Sequence, residues 1–262
     1  MKLLFVGDVV GRCGRHALTT QLDRLIDRHL IDLVVINGEN AAAGFGMTVD
    51  VARELLKMSV DVVTSGNHVW DKRDIYPLLD SEPKLLRPAN YPAGVPGRGA
   101  GIFHTNGGTA VGVLNLEGRV FMSPLDNPFL VADRLVDELR KTTSIILVDF
   151  HAEATSEKVA LGFYLAGRVS AVVGTHTHVQ TADERVLTGG TAYITDVGMT
   201  GSRDSIIGIR KELATERFLT QLPTRFEVAK KDPMINAVVI DIDDQNGRAT
   251  TIMRINELVE NN

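Results

Sequence analysis

Cysteine is almost absent from this chain of 262 residues: Cys13 is the only one, so no intrachain disulfide can form. That composition fits a reducing compartment. Aromatic residues make up only 5% of the chain, and acidic residues outnumber basic ones to give a formal net charge of −5. A chain of this charge has no general attraction for long nucleic acid. A small nucleotide remains compatible, because bound cations can reverse the sign of the charge locally.

Long hydrophobic runs are missing as well. No apolar stretch approaches the roughly 18 residues of a membrane-spanning helix, and the apolar run after Met1 is too short for a signal peptide. We therefore expect a cytoplasmic protein with no membrane partner. Apolar residues still account for 44% of the chain, which is enough for a large core. The length allows one or two α/β domains, and we expect one over residues 1–262.

Short apolar runs alternate with segments of helical periodicity in the first third of the chain. Strands are predicted over Leu3–Val6, Leu33–Ile36 and Asp61–Thr64. Helices are predicted between them over His16–His29 and Val49–Met58, the second capped by Thr48. This alternation is typical of βαβ units and of a sheet with parallel strands.

The rest of the chain continues the alternation after a loop rich in proline and glycine over Pro83–Gly101. Further strands are predicted over Val111–Leu116, Ile145–Val148, Ala171–Val173 and Ala192–Ile194, and further helices over Asn127–Lys141 and Ser156–Ala166. A terminal hairpin is predicted from Ala237–Asp241 and Thr250–Ile255, turning around Gln245-Asn246-Gly247.

Polar residues follow several of these apolar runs directly. The runs are Gly7-Asp8, Gly38-Glu39-Asn40, Gly66-Asn67-His68 and Gly174-Thr175-His176-Thr177-His178, with a lone His151 before the last. Carboxylate and carboxamide oxygens beside imidazoles suit iron, manganese, zinc or cobalt. In open α/β sheets the carboxyl ends of the strands are where ligand sites collect. The pattern therefore predicts a metal site at that edge.

Each of these residues alone has a simpler interpretation. Asp8 would be a turn residue, Glu39 a cap, and His151 a satisfied core histidine. As part of a site, Asn67 can offer its carbonyl oxygen to a metal, and His68 would point elsewhere as a substrate-facing acid. His176 and His178 stand at i and i+2, so that after a bend each can serve one of two metals. Asp149 and Glu153 flank His151 and are candidate acceptors for its other ring nitrogen.

Taken in order, these runs resemble the calcineurin-like metallophosphoesterase superfamily. Two departures from its usual pattern stand out: Val10 occupies the place of a histidine in the first motif, and Glu39 follows Gly38 where an aspartate is usual. With Gly-Asp-Val-Val-Gly-Arg, Asn-Gly-Glu-Asn-Ala, Gly-Asn-His-Val-Trp and Gly-Thr-His-Thr-His-Val-Gln, the chain is similar to the YmdB-like bacterial branch. The similarity runs from residue 1 to about Gly201.

The resemblance implies an α/β fold in which a two-sheet sandwich is flanked by helices in four αββα layers. It implies a phosphodiesterase that hydrolyses cyclic nucleotides, 2′,3′-cyclic or 3′,5′-cyclic, by a metal-activated hydroxide. The implied cofactor is a pair of divalent or mixed-valence ions, iron or manganese. One ion would take Asp8, Glu39 and His178, with Asn40 in place of the missing histidine. The other would take Glu39, Asn67, His151 and His176, and His68 would act on the leaving group.

Three functions remain open at this point. The same cage would serve a cyclic-nucleotide phosphodiesterase, or a phosphomonoesterase or nuclease, because ligands fix the metals and not the substrate. A non-catalytic regulatory metal protein is a third alternative, although structural zinc usually draws on cysteines and only Cys13 is present. We expect a small phosphate ester as the partner, and the sequence leaves open whether the protein forms a homo-oligomer.

Overall fold

The computed structural model describes residues 1–259 and builds them from strands and helices in nearly equal shares. In chain order the strands are β1 (Lys2–Val6), β2 (Asp8–Val9), β3 (Leu33–Asn37), β4 (Val62–Thr64), β5 (Ala100–His104), β6 (Ala110–Glu117), β7 (Ile146–His151), β8 (Ala171–Thr175), β9 (Arg185–Leu187), β10 (Thr191–Ile194), β11 (Met199–Ser202), β12 (Pro233–Ile242) and β13 (Ala249–Leu258). The helices are α1 (Gly11–His29), α2 (Val49–Leu56), α3 (Tyr76–Ser81), α4 (Pro128–Leu139), α5 (Thr155–Leu165) and α6 (Lys211–Thr220).

The strands form two mixed sheets. The first has the order β2-β11-β12-β1-β3-β4, and β13 pairs with β12 as a hairpin. The second has the order β5-β6-β7-β8-β10-β9. Strands β1, β3 and β4 run parallel, as do β6, β7 and β8. The carboxyl ends of each parallel set therefore meet at one edge of their sheet.

Alternation along the central strands explains the layers. In β1, Leu3 and Phe5 pack between the two sheets, whereas Leu4 and Val6 pack on the opposite face against α1 and α2. The second sheet repeats this pattern. In β6, Val111 and Val113 face the first sheet, whereas Leu114 and Leu116 pack against α4 and α5. Each sheet thus buries both faces, and the two sheets are flanked by helices. This arrangement confirms the αββα architecture that the resemblance implies.

Most predicted elements are present, and the clearest correction concerns α1. The prediction began this helix at His16 and left the preceding Gly-Arg-Cys-Gly-Arg stretch outside it, but the helix begins at Gly11. The reason is a close approach to β11, since a Cβ at Gly14 would lie only 2.2 Å from the Thr200 carbonyl oxygen. The stretch is therefore helix, and burial raises the pKa of Cys13 to about 11, so its thiol stays protonated.

The elements that the sequence analysis missed are mostly short or exposed. They are β2, β5, β9, β11, α3 and α6. The proline-rich segment is a loop up to Gly99 and then enters β5. The terminal hairpin is confirmed, with Gly247 at φ 71° in its turn. Among the described residues, no helix combines the length and the hydropathy needed to cross a membrane.

Candidate metal centre

The polar runs lie together where the carboxyl edges of the two sheets face each other. Asp8, Glu39 and Asn67 follow strands β1, β3 and β4 of the first sheet, whereas His151 and His176 come from β7 and β8 of the second. The sequence pattern placed these residues at strand ends but could not divide them between sheets. The centre is therefore assembled across the sandwich, and neither sheet contains it alone.

The first set of ligand atoms, which we call the His151 group, surrounds the Nε2 atom of His151. This nitrogen lies 3.1 Å from Glu39 Oε2, 2.9 Å from Asn67 Oδ1 and 3.0 Å from His176 Nδ1. Neighbouring ligands in an octahedral shell with bonds of about 2.1 Å lie about 3 Å apart. The spacing within the group therefore matches the edges of one metal coordination shell.

The second set, which we call the His178 group, comprises Asp8, Glu39, Asn40 and His178. Candidate ligand atoms of Asp8, Glu39 and His178 lie within 4.8 Å of one another. His178 Nε2 is 4.0 Å from Asp8 Oδ2 and 3.2 Å from Asn40 Oδ1. The amide nitrogen of Asn40 donates to the Gly44 carbonyl oxygen at 2.9 Å, which turns the oxygen of Asn40 toward His178. Glu39 is common to both groups.

Glycine at position 66 leaves the room that this arrangement needs. A Cβ there would lie 2.3 Å from Glu39 Oε2 and 2.4 Å from His151 Nε2. Contacts this short do not occur, so any side chain would push the two ligands apart. The Gly-Asn-His run thus contributes the space left by the missing side chain of Gly66, in addition to the side chains of Asn67 and His68.

The loop after β8 is held in an unusual backbone conformation. His176 has φ 102° and His178 has φ 65°, although neither is glycine. Asp196 anchors the residue between them, accepting hydrogen bonds from the Thr177 amide at 3.0 Å and the Thr177 hydroxyl at 2.7 Å. Lys158, itself buried, donates to the same oxygen at 2.6 Å. Strain of this kind persists only where the surroundings hold it, and it concentrates at functional sites.

A buried relay fixes the imidazole of His151. Its Nδ1 atom lies 2.9 Å from the Thr175 hydroxyl, which donates to Asp149 Oδ1 at 2.8 Å. Because that hydroxyl proton is committed to Asp149, Thr175 accepts from the Nδ1–H group. The relay leaves Nε2 facing the other ligand atoms. Outer contacts of this type set the tautomer of metal-binding histidines.

Asp149 and Glu153, the two acceptors predicted for His151, make different contacts from those predicted. Asp149 acts through Thr175 and does not touch the ring directly. Glu153 faces another histidine, with its Oε2 atom 3.0 Å from His176 Nε2. The reason is local: Ala152 follows the end of β7, and Glu153 turns outward while Asp149 stays between the sheets. Glu153 therefore orients His176 with its Nδ1 atom toward His151.

The charges in the centre are strongly coupled. Burial raises the pKa of Asp8 well above its usual value, and nearby Glu39 adds to the effect. Burial also opposes ionisation of Glu39, but the positive charge of His151 outweighs it and lowers the pKa of that carboxyl. Burial together with the charge of His151 lowers the pKa of His176 to about 3, so this imidazole is neutral at physiological pH. Metal ions bind carboxylates and neutral imidazoles, so an ion here would compete with the protons that the raised pKa values of Asp8 and His151 favour.

His68 differs from the three histidines of the ligand groups, His151, His176 and His178. Its backbone amide donates to Glu39 Oε2 at 3.3 Å, while its side chain turns away, with Nδ1 3.0 Å from Asp71 Oδ2. Its ring packs edge-on against Phe45, with the ring centroids 5.1 Å apart. The side chain lines a cavity of about 360 Å³ that also contains Glu39, His176 and His178. The geometry separates His68 from both ligand groups and leaves its Nε2 atom available to a ligand.

The residues present fit a divalent metal ion on three observations. The donor set combines carboxylate, amide and imidazole, as iron and manganese sites do. Asp8 Oδ1 is buried without a hydrogen-bond partner among the described residues, which is costly for a carboxylate unless a cation balances it. Gly66 forms a cradle that a Cβ would fill.

Sequence reasoning missed two acidic residues near the centre. Asp71 contacts His68 and lies only three residues beyond it. Glu117 is fully buried at the end of β6, directly beside His151 in the strand register, and neither of its carboxylate oxygens has a hydrogen-bond partner among the described residues. Burial raises the pKa of Glu117 to about 7. The strand-end pattern would have found Glu117, since it directly follows the predicted strand Val111–Leu116.

Comparisons with known proteins agree with this geometry. Over 255 residues the chain is 52% identical to a Bacillus subtilis (strain 168) protein named 2′,3′-cyclic-nucleotide 2′-phosphodiesterase, covering 97% of the chain and 96% of that protein. A crystal structure of a hypothetical protein from Thermus thermophilus superposes with a TM-score of 0.92 at 44% identity, covering 98% of this chain and 99% of that one. A Mycoplasma pneumoniae structure described as a novel phosphatase gives 0.92 at 33% identity, with coverage of 98% and 93%.

The sequence profile of one family matches nearly the whole chain. Its description is YmdB-like protein, and the match spans residues 4–255. That range contains every residue of the two ligand groups and His68. The chain belongs to the YmdB-like protein family.

Proposed function

We propose that this protein is a metal-dependent phosphoric diester hydrolase that opens cyclic nucleotides. The Bacillus subtilis relative, half identical over nearly its full length, is named for that reaction on 2′,3′-cyclic nucleotides. The observation in this chain that carries the proposal is the pair of ligand groups that share Glu39. Two adjacent cation sites are the arrangement that in-line displacement at phosphorus uses.

The proposal assigns the residues to two ions. The His151 group would hold one, and Asp8, Glu39, Asn40 and His178 would hold the other, with Glu39 as the bridge. Iron or manganese is the proposed metal, because the donors are oxygens and imidazole nitrogens without any thiolate. Such a pair supplies, when bound, activation of water and neutralisation of phosphate charge.

The protein's own groups complete the chemistry. His68 would donate a proton to the leaving oxygen of the opened ring, since Asp71 holds its Nδ1 and no hydrogen bond within residues 1–259 occupies its Nε2. The Asp71 carboxylate holds the ring in a fixed orientation. Asp149 acts through Thr175 to keep His151 in one orientation, and Glu153 does the same for His176. These contacts fix the ligands before the substrate arrives, so little reorganisation is needed during reaction.

A second function, phosphomonoester hydrolysis, requires a direct test because the Mycoplasma pneumoniae neighbour is described as a phosphatase. The test is a substrate panel with manganese-loaded enzyme: 2′,3′-cyclic AMP, 3′,5′-cyclic AMP, 3′-AMP and 4-nitrophenyl phosphate. We expect turnover of a cyclic diester at a kcat/KM at least tenfold above either monoester. A preference for 3′-AMP or 4-nitrophenyl phosphate would contradict the proposal and favour a phosphatase.

A further inference from the structure

One wall of the cavity beside the metal centre is apolar and open. Phe45, Ile207 and Phe226 line it and are exposed by 38%, 52% and 42% of their surfaces. Single exposed apolar residues are common on protein surfaces. These three differ because they converge on the cavity that contains Glu39 and His178. The cavity is therefore polar on the side of the ligand groups and apolar on the other.

The wall is attached directly to the candidate metal ligands. Asn40 donates from its side chain to the Gly44 carbonyl oxygen, and the Gly44 amide donates back to the Asn40 carbonyl oxygen at 3.0 Å. These bonds hold the loop that carries Phe45. On the far side, His178 Nδ1 lies 2.9 Å from the Ile207 carbonyl oxygen. The aromatic loop and the opposite segment thus keep a fixed position relative to the metal centre.

A third contact joins the two sides of the wall. Val228 packs so closely on the Phe45 loop that a Cβ at Gly44 would lie 2.7 Å from its Cγ2 atom. Val228 also bridges to Ile209, and Phe226 lies two residues before it. Phe226 is consequently held near the loop of Phe45 although the two are far apart in sequence. A pre-formed apolar surface loses little entropy when it receives a ligand.

The charges of the cavity limit what this surface can bind. Among the described residues that line it, none is lysine or arginine, and Glu39 and Glu153 are acidic. A second phosphate or a long strand would find no cationic side chain there. A planar, uncharged group attached to the phosphate ester would find two phenyl rings. The cavity volume of about 360 Å³ lies within the range of small-ligand sites, which is about 300–1,000 Å³.

We propose that Phe45, Phe226 and Ile207 form a nucleobase subsite, in which the base of a cyclic mononucleotide stacks while its phosphate lies at the metal centre. This inference rests on the proposed function. Every base has a stacking face, so the subsite accepts all four bases. It favours purines, which have the larger face, and it provides no hydrogen-bond pattern on the phenyl rings to select one base.

The test compares steady-state kinetics on three substrates with manganese-loaded enzyme. They are 2′,3′-cyclic AMP, 2′,3′-cyclic CMP and the base-free methyl ribofuranoside 2,3-cyclic phosphate. The main variant is Phe226→Ala, and Phe226→Trp is the conservative rescue. Phe45→Leu keeps apolar volume beside His68. Phe218→Ala is the matched control, because this phenylalanine of α6 is 73% exposed and does not line the cavity.

We expect Phe226→Ala to raise KM for 2′,3′-cyclic AMP by about 5- to 150-fold, the effect of one lost base–aromatic stack. The change should be smaller for the cyclic CMP, absent for the base-free ester, and reversed by Phe226→Trp. Equal rises in KM on all three substrates would overturn the subsite while leaving the phosphodiesterase proposal intact. A KM for Phe226→Ala that changes no more than the KM of the control Phe218→Ala would do the same. A wild-type enzyme that hydrolyses no cyclic nucleotide would overturn the proposed function, and the subsite with it.

Discussion

The two ligand groups differ in how closely their candidate ligand atoms are spaced. In the His151 group, the ligand atoms lie about 3 Å apart, and outer contacts from Thr175 and Glu153 fix both imidazoles. In the His178 group, Val10 stands where the superfamily usually has a histidine, and Asp8 Oδ1 has no partner among the described residues. The wider spacing, up to 4.0 Å between Asp8 and His178, accompanies this loss. The ion proposed for the His151 group should therefore be held more tightly than the ion proposed for the His178 group.

The two groups also differ in their surroundings. Both groups are buried to a similar degree, but the His178 group is tied to the apolar wall through Asn40 and Ile207. The following variants break or sharpen this comparison, starting with the one that should remove the distinction altogether.

Glu39→Gln should have the largest effect because it removes the one ligand shared by both groups. An amide bridges two cations poorly, so we expect kcat to fall by more than about 10³-fold, beyond the usual loss from removing a single charge-stabilising donor. Glutamine has the same shape, and circular dichroism should show an intact fold. Near wild-type turnover with two metals bound would remove Glu39 from the mechanism.

His68→Ala should lower kcat without disturbing either group. The expected loss is about 10²- to 10⁴-fold, the range for a general acid, and both metals should remain. The loss should shrink for bis(4-nitrophenyl) phosphate, whose leaving group needs little protonation. His104→Ala, at an exposed histidine of β5, is the control.

His176→Ala is the variant to compare with His68→Ala. Because His176 belongs to the His151 group, its removal should release metal first and activity as a consequence. Metal content plotted against rate for His68→Ala and His176→Ala separates the two roles. Equal metal loss in both would make His68 a ligand.

Asn40→Ala should affect the His178 group selectively. If the amide oxygen replaces the histidine lost at Val10, about one metal equivalent should be lost and the His151 group should keep its own, with affinity for the lost ion falling by more than about 100-fold. Asn40→Asp is the matched variant, since it keeps an oxygen toward the metal but loses the donor to Gly44. Retention of metal in Asn40→Asp alone identifies ligation as the role. Unchanged stoichiometry in Asn40→Ala would mean that Asn40 is only a loop anchor.

Thr175→Val should have the smallest effect, because it touches the His151 group only through the ring orientation. The change removes the hydroxyl between His151 and Asp149 without changing the volume. Loss of such an outer contact typically lowers metal affinity by about 10- to 100-fold. Thr191→Val is the control: this buried threonine also accepts and donates hydrogen bonds, but it lies at the start of β10, outside both groups. Equal metal affinities in the two variants would exclude the relay.

The sequence predicted which residues gather at this edge because each candidate ligand lies at the end of a short apolar run, and this is a local signal. Strand ends also located the edge of the sheet at which Asp8, Glu39 and Asn67 gather. The outer contacts were not predictable in this way. Glu153 contacts His176, which has a positive φ that no pattern in the sequence reveals.

Helix α6 shows the complementary limit. Phe218 and Leu219 are exposed by 73% and 80%, so the helix has no apolar face turned toward a core and no recognisable periodicity. Helix α1 was predicted too short for a related reason. The predicted helix left out Gly11 and Gly14, because glycine is unfavourable within helices. In the structure Gly14 lies in the helix and allows it to approach β11. Contacts between segments distant in sequence, rather than local preference, decide these cases.

The central claim is that two cations lie on either side of Glu39, and anomalous diffraction from manganese-loaded crystals tests it most directly. We predict two peaks roughly 3.5–4 Å apart, the separation of two-metal sites. One should lie among Glu39, His151 and His176, and the other among Glu39, Asp8 and His178, with the second weakening first as manganese is withdrawn. A single peak at saturating manganese, or two peaks of which only one contacts Glu39, would contradict the account.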